Sequence, residues 1–428
     1  MKKIIILICC CLLCACQAQS DSKSTTFNSQ SKEDLIFKGW SGFPTGDGNE
    51  NGYYHIKMTD KQDRTQSNIC YYDYTSKKEV ILCNKPECQH QDETCTSYIM
   101  LPTLSNRLFV YKNTVFMIQL RGIQIDSLGQ RQDTGPKIVK RNLDGSDPQD
   151  VYILEDGYRF DYANFAIAND ILYIKVVKNK DYKVDKESTM RVNIEEKLYA
   201  INLKTGEGKS ILDFMDKDIV GTDGRQFILS STIYKEDPKK YLEAGDYAKY
   251  DELMLKCSTG YSTFNIDTLK ESEIIKADLE WPRYYKGNIY STEKDGLYSV
   301  NINNGEKKKM ISYDLNHSYC LSYISDGYIF INEEKNGSDY IFSSSYLVNI
   351  DNLKMQKISF AMRTPKQPIE ILSETQDSFL VKYDREGHNE KSWAGTDQYT
   401  ETKQYIGLIK KSDYFENKAN YQNIELLK

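Results

Sequence analysis

The chain has 428 residues, of which 39% are hydrophobic and 28% charged, with 24 glycines and 9 prolines. That is enough for one large all-β domain or two ordinary domains, and it excludes a disordered, collagen-like or mucin-like chain. The net charge of −6 is spread over both signs. A nucleic-acid surface needs clustered Lys and Arg, so it is excluded too; Lys307, Lys308 and Lys309 read as a solvated turn.

Taken in chain order, the first element is a leader. Lys2 and Lys3 precede an apolar run from Ile4 to Leu13, which ends in Leu13-Cys14-Ala15-Cys16. The run is too short for a settled transmembrane helix, which needs about 20 apolar residues. It resembles a bacterial lipoprotein signal, with residues 1–15 removed and Cys16 acylated as the mature N-terminus; an ordinary secretory signal is the alternative. Two or three acyl chains, at roughly 0.8 kcal/mol per buried CH₂, anchor stably to the cell membrane, here facing outside the cytoplasm. Cys9, Cys10, Cys11 and Cys14 leave with the leader. Losing two lysines and no acid takes the net charge from −6 to −8. Residues 16–49 read as the lipidated cysteine and a flexible tether, because Gln17 to Asp34 is rich in Ser, Thr, Gln and Lys. Asp47-Gly48-Asn49-Glu50-Asn51-Gly52 has the oxygen donors of a calcium loop, but Met58 stands where the bidentate Glu belongs, so it reads as a polar turn.

Residues 50–428 restate one phrase. Leu198-Tyr199-Ala200-Ile201-Asn202-Leu203-Lys204-Thr205-Gly206-Glu207 parallels Leu297-Tyr298-Ser299-Val300-Asn301-Ile302-Asn303-Asn304-Gly305-Glu306. Looser copies surround Asp73, Asn142, Asn265 and Asn349, each preceded by an apolar strand. The 33 tyrosines, against 15 Phe and 3 Trp, suit strands that are only half buried. A period of about 50 residues with four strands per unit predicts a single all-β propeller, since one blade cannot bury both its faces alone. Units near 50–105, 106–155, 160–215, 223–280, 284–312, 318–360 and 368–428 give seven blades, with six or eight open. The last and first units are expected to share a blade, one chain end closing the ring. Closure removes free sheet edges, and a monomer is expected. Two β-sandwiches are the competing architecture. Asp237 to Glu252, broken by Gly245, has helical composition and reads as a loop insertion.

The sharpest local feature is Cys83-Asn84-Lys85-Pro86-Glu87-Cys88-Gln89-His90-Gln91-Asp92-Glu93-Thr94-Cys95. Three thiols and one of only four histidines within a polar loop at 83–95 can fill a tetrahedral zinc shell with no open position, the pattern of a structural ion. Disulfides are the rival. The exported chain keeps Cys70, Cys83, Cys88, Cys95, Cys257 and Cys320, and two local bridges among the first four are feasible. Free thiols are the third possibility.

The leader, the Tyr-rich first unit and the Cys83/Cys88/His90/Cys95 segment resemble a family of lipoproteins from gut Firmicutes, and more broadly TolB-like propellers and propellers of the domain-of-unknown-function families. The resemblance implies fold and location and carries no activity. No phosphate-cradling loop, zinc-protease His pair or nucleophile elbow is present in the sequence, and no catalytic residue is assigned. The expected function is a surface-anchored, non-catalytic propeller that binds a protein, peptide or glycan through loops at one end of the ring. The alternative is a carbohydrate-active enzyme, glycosidase or lyase, with carboxylates paired about 5–9.5 Å apart, or an accessory solute-binding lipoprotein.

Overall fold

The structure, a computed structural model, describes residues 32–39, 46–58, 66–99, 106–120, 123–125, 131–133, 135–185, 187–335, 341–391 and 397–427. The chain separates into Met1–Lys32 and Glu33–Lys428. The leader and Cys16 lie outside the described residues.

Alternating apolar and polar residues between turn signals generate seven successive antiparallel sheets. Blade 1 comprises Asp47–Asn49, Gly52–Met58, Ser67–Asp73 and Lys78–Ile81; blade 2 comprises Asn106–Tyr111, Thr114–Gln119, Lys137–Asn142 and Gln149–Ile153. Blade 3 comprises Tyr158–Ala168, Ile171–Lys183, Thr189–Asn202 and Gly208–Asp213; blade 4 comprises Lys217–Asp223, Gln226–Ile233, Ser258–Asn265 and Lys270–Lys276. Blade 5 comprises Arg283–Tyr285, Asn288–Glu293, Gly296–Asn301 and Lys307–Ser312; blade 6 comprises His317–Ser325, Tyr328–Lys335, Ile341–Asn349 and Met355–Ile358. Blade 7 comprises Glu370–Glu374, Ser378–Lys391, Asp397–Lys410 and Gln422–Asn423. The architecture is a seven-bladed β-propeller.

Neighbouring blades hide one another's apolar faces, which no single sheet can do. Leu108 and Val110 pack with Tyr54 and Ile69 between blades 1 and 2, and Phe109 with Phe165 between blades 2 and 3. Tyr173 meets Phe227 edge-on at 5.7 Å between blades 3 and 4. Three further clusters join blades 4 to 5, 5 to 6 and 6 to 7. Tyr53 and Tyr72 with Leu380 and Leu408 then join blade 7 to blade 1. Blade 7 has four strands of its own, so the expected shared blade is not formed. The C-terminal segment instead reaches across the seam, where Glu425 bridges Lys78 in parallel and the Leu427 N–H donates to Glu79 at 2.7 Å.

Tyr199 and Tyr298 occupy the third strands of blades 3 and 5, as the repeated phrase requires. The asparagine of that phrase is an Asx-turn acceptor: Asn202 takes the N–H groups of Lys204 and Thr205, and Asn265 and Asn349 make the equivalent bonds. The turn glycine that follows has φ of 74° at Gly206 and 70° at Gly305. A Cβ there would lie closer than 3.0 Å to the Val151 or Ile274 carbonyl on the preceding blade's outermost strand. Gly145 meets the Leu82 carbonyl in the same way. The glycine therefore serves the seam between blades as well as its own turn.

Antiparallel order places the first-to-second and third-to-fourth turns at one end of the ring, here the lower end. The second-to-third turns and the links between blades lie at the upper end. Most lower turns are short, an exception being 411–421 with its helix Lys411–Phe415. The upper end carries the Cys/His loop, the 234–257 insertion and the long hairpins of blades 3 and 7. The insertion forms the helices Lys239–Ala244 and Tyr247–Leu255, separated by Gly245 at φ 75° and capped by Asp246, as its composition predicted.

Strand structure begins ahead of the expected boundary at residue 50. Asp47–Asn49 is the innermost strand of blade 1, and Ile36–Lys38 pairs antiparallel with the innermost strand of blade 3. Glu33 accepts from the Tyr111 hydroxyl at 2.9 Å and the Asn169 N–H at 3.0 Å, both at lower turns, so the segment enters the central channel from the lower end. Buried Leu35 and these distant partners supply what the polar composition hid.

Candidate functional site

Cys83 follows the outermost strand of blade 1, and the chain makes an excursion before Tyr98–Ile99 returns to pair with Ser67 and Asn68. Left-handed backbone at Glu87 (φ 59°) and His90 (φ 58°) folds the intervening residues back on themselves. The result brings together all four sequence-selected side chains: one ligand atom from each of Cys83, Cys88, His90 and Cys95 lies within 4.8 Å of the others. His90 Nδ1 is 3.3 Å from Cys95 Sγ. The fully buried Asn68 and Ser97 support the set. Asn68 donates to the His90 carbonyl at 3.2 Å and to the Ser97 hydroxyl at 2.9 Å, and that hydroxyl is 3.0 Å from Cys95 Sγ.

The electrostatics favour a thiolate. Burial raises the Cys83 thiol, but the Lys85 N–H and the side chains of Thr96, Cys95 and Cys88 outweigh it and bring it down to about 6. Cys88, although the His90 N–H lowers it, is raised on balance by desolvation and by Cys95 and Cys83, since adjacent thiols resist ionising together. Arg141 stands beside them. It is 8% exposed, donates to the Thr96 carbonyl, and among the described residues its Nε has no hydrogen-bond partner. Burial pulls its guanidinium down to about 10, against the charge of Cys95. A buried cation without an acid is costly unless something nearby is negative, and the Cys/His set is what lies nearby. These residues could coordinate a metal ion.

All six described cysteines are free. Cys70, which the rival expectation of local disulfides included, lies apart from the loop thiols. It sits on the third strand of blade 1 with His55 and Glu79, a second group close enough to hold an ion. That group is already charge-balanced. Glu79 accepts from Lys57 Nζ at 2.9 Å, lies 3.2 Å from His55 Nε2 and takes the Leu427 N–H. Burial, then the Glu79 charge, pushes the Cys70 thiol to about 12, which keeps it protonated.

Three arginines carry the geometry that sequence reading missed. Arg107 donates to the carbonyls of Tyr162, Ala163, Lys38 and Gly39, tying blades 2 and 3 to the N-terminal strand. Arg141 faces the Cys/His loop, and Arg283 lines the channel. For Arg107 and Arg283 the signal is an arginine near or at the start of an otherwise apolar or aromatic strand, whereas Arg141, beside Lys140 and Asn142, carries none. Near Arg107 a channel cavity of about 290 Å³ also receives Lys38, Asp47 and Glu374. Asp47 accepts from Lys38 Nζ at 2.5 Å and the Val110 N–H at 2.8 Å, and Glu374 from the Ser325 hydroxyl at 2.7 Å.

No family model and no curated protein sequence matches the chain. Among solved structures, an oligogalacturonate lyase in complex with manganese is 11% identical over 73% of this chain and 74% of that one, with a TM-score of 0.43. TolB from Acinetobacter baumannii is 11% identical over 83% and 76%, at 0.33. A prolyl endopeptidase is 8% identical over 92% of this chain and 50% of its own, at 0.47. The likeness is distant and reaches the ring architecture alone.

Proposed function

We propose that this protein is a lipid-anchored, non-catalytic propeller that binds a protein, peptide or glycan outside the cytoplasm through the upper end of its ring. One observation carries the reading: the two ends differ. The elaborated loops gather at the upper end, while the N-terminal strand enters the channel from the lower end. A ring held through its N-terminus, with Cys16 as the acylated residue, stands on its short-turn end and offers the loops outward. Packed sheets hold those loops in a fixed relation, so little ordering entropy is lost on binding.

Peptide and glycan arrays probed with the mature chain test the reading. The expected result is a bound probe that is lost when the 238–256 insertion is replaced by a short turn and retained in the lower-end variant Lys204→Ser. Equal loss in both variants, or no binding to either array, overturns it. Detergent phase partition that is lost in Cys16→Ala tests the anchor.

Within the upper end, the Cys/His loop holds a structural zinc ion. Three thiolates and one imidazole close a tetrahedral shell, and Zn²⁺ with three thiolates leaves one negative charge, matching the single charge of Arg141. Intact mass of the natively purified protein should show a zinc-sized increment that chelator removes. A mass two protons lower per bridge, with no alkylatable thiols, would refute it.

A carbohydrate-active enzyme is the second reading, favoured by the meeting of Asp47 and Glu374 at one channel cavity. Cleavage of oligosaccharides by the wild type, lost in both Asp47→Asn and Glu374→Gln, would establish it in place of the first.

A further inference from the structure

Blades 5, 6 and 7 leave a cleft of about 460 Å³, inside the roughly 300–1,000 Å³ range of small-molecule sites. Leu321, Ile331, Ile358 and Ile371 give it apolar walls. One charge in it is uncompensated. Arg283 opens the innermost strand of blade 5 and lines both this cleft and the adjoining channel cavity of about 420 Å³. Its guanidinium donates to the Pro282 carbonyl at 3.1 Å, and among the described residues no carboxylate pairs with it. Lys382, the other cation of the cleft, is already held by Glu370 at 3.3 Å and Glu401 at 3.1 Å. The neighbouring Cys320 does not balance Arg283 either, because burial and Glu334 push its thiol to about 11.

A second observation points to the same place. Trp281 stands at the mouth of the cleft with φ 52° and 56% of its surface exposed. Left-handed backbone is strained for a bulky residue, and an exposed indole gains little burial in return. Such an arrangement fits an aromatic waiting for something to cover.

We infer that this cleft binds an apolar monocarboxylate, its carboxylate paired with Arg283 and its hydrocarbon body lying against the apolar walls beneath Trp281. A guanidinium matches a carboxylate with two parallel hydrogen bonds. A single positive charge also fits a monoanion. A dianion would leave one negative charge in an apolar cleft that already contains Glu370. The inference goes beyond the upper-end reading and fails or stands without it.

Octanoate and octan-1-ol, matched in chain length, are the probes, titrated calorimetrically into the mature chain. Octanoate is expected to bind at least tenfold more tightly than octan-1-ol. Arg283→Gln should abolish that preference, whereas Arg283→Lys keeps part of it, since an ammonium retains the charge without the fork. Without ligand, Arg283→Gln should melt no lower than wild type, because it removes a cation that lacks an acid partner. Equal affinities for the two probes, binding of neither, or a preference that survives Arg283→Gln would each overturn the assignment. So would inorganic phosphate displacing octanoate at equal concentration, since the apolar walls would then contribute nothing. The wild-type comparison needs no variant to fold.

Discussion

Alanine at Gly206 should destabilise the ring by about 1–5 kcal/mol, most of it at the seam between blades 2 and 3. Two contributions can be separated. Left-handed backbone costs an alanine roughly 1–2 kcal/mol, offset by about 0.4–1 kcal/mol from the less flexible unfolded chain. Gly287, with φ 82° and nothing within 4 Å of a Cβ, isolates that net effect. Gly206 adds the approach to the Val151 carbonyl, closer than 3.0 Å, and Gly305 the same approach to Ile274. Overpacking of that kind costs about 1–3 kcal/mol. Urea unfolding of Gly206→Ala, Gly305→Ala and Gly287→Ala should therefore rank the first two together, clearly below the third. Equal losses at all three positions would mean that the repeated glycine serves only its own turn.

Three other outcomes follow from the same physics. With the proposed zinc in the Cys/His loop, Cys88→Ser and Cys95→Ser should each abolish metal retention and expose the 82–97 loop to protease, whereas Cys257→Ser, outside the cluster, should not; metal analysis and limited proteolysis read this out. Replacing Arg107 by Met should cost about 3 kcal/mol or more, because four carbonyls lose their donors at once; thermal unfolding measures it. Burial raises the Glu79 carboxyl, but His55 and Lys57 outweigh it and hold it below its ordinary 4.5. A depressed carboxyl stabilises the fold above that value, and the stabilisation fades as pH falls through the folded one. Glu79→Gln should therefore be less stable than wild type at pH 7, with the gap closing below about pH 4; a gap constant with pH would show that the charge is not what matters.

The seven-fold repeat was legible because its signals are local. An Asx turn at Asn202 depends on the next few residues, a glycine at 206 on its own φ, and an alternating strand on a period of two. The Cys/His segment was legible for the same reason, as four ligands within thirteen residues leave little freedom in where they meet. Glu33 and Ile36–Lys38 were misread as tether because a short polar stretch earns its place in the ring only through Tyr111, Asn169 and the strand of blade 3, over 70 residues away or more.

What the chain alone determined, then, was the kind of unit and its one conspicuous ligand cluster, while the count of seven was settled by the seven sheets. Which charges are balanced was decided only by the closed ring. Arg141 meets the Cys/His loop across the blade 1–2 seam, Glu79 meets Leu427 at a separation of 348 residues, and Arg283 meets no carboxylate among the described residues. Periodicity is a property of neighbours along the backbone, whereas the cost of a buried charge depends on every group that surrounds it in space.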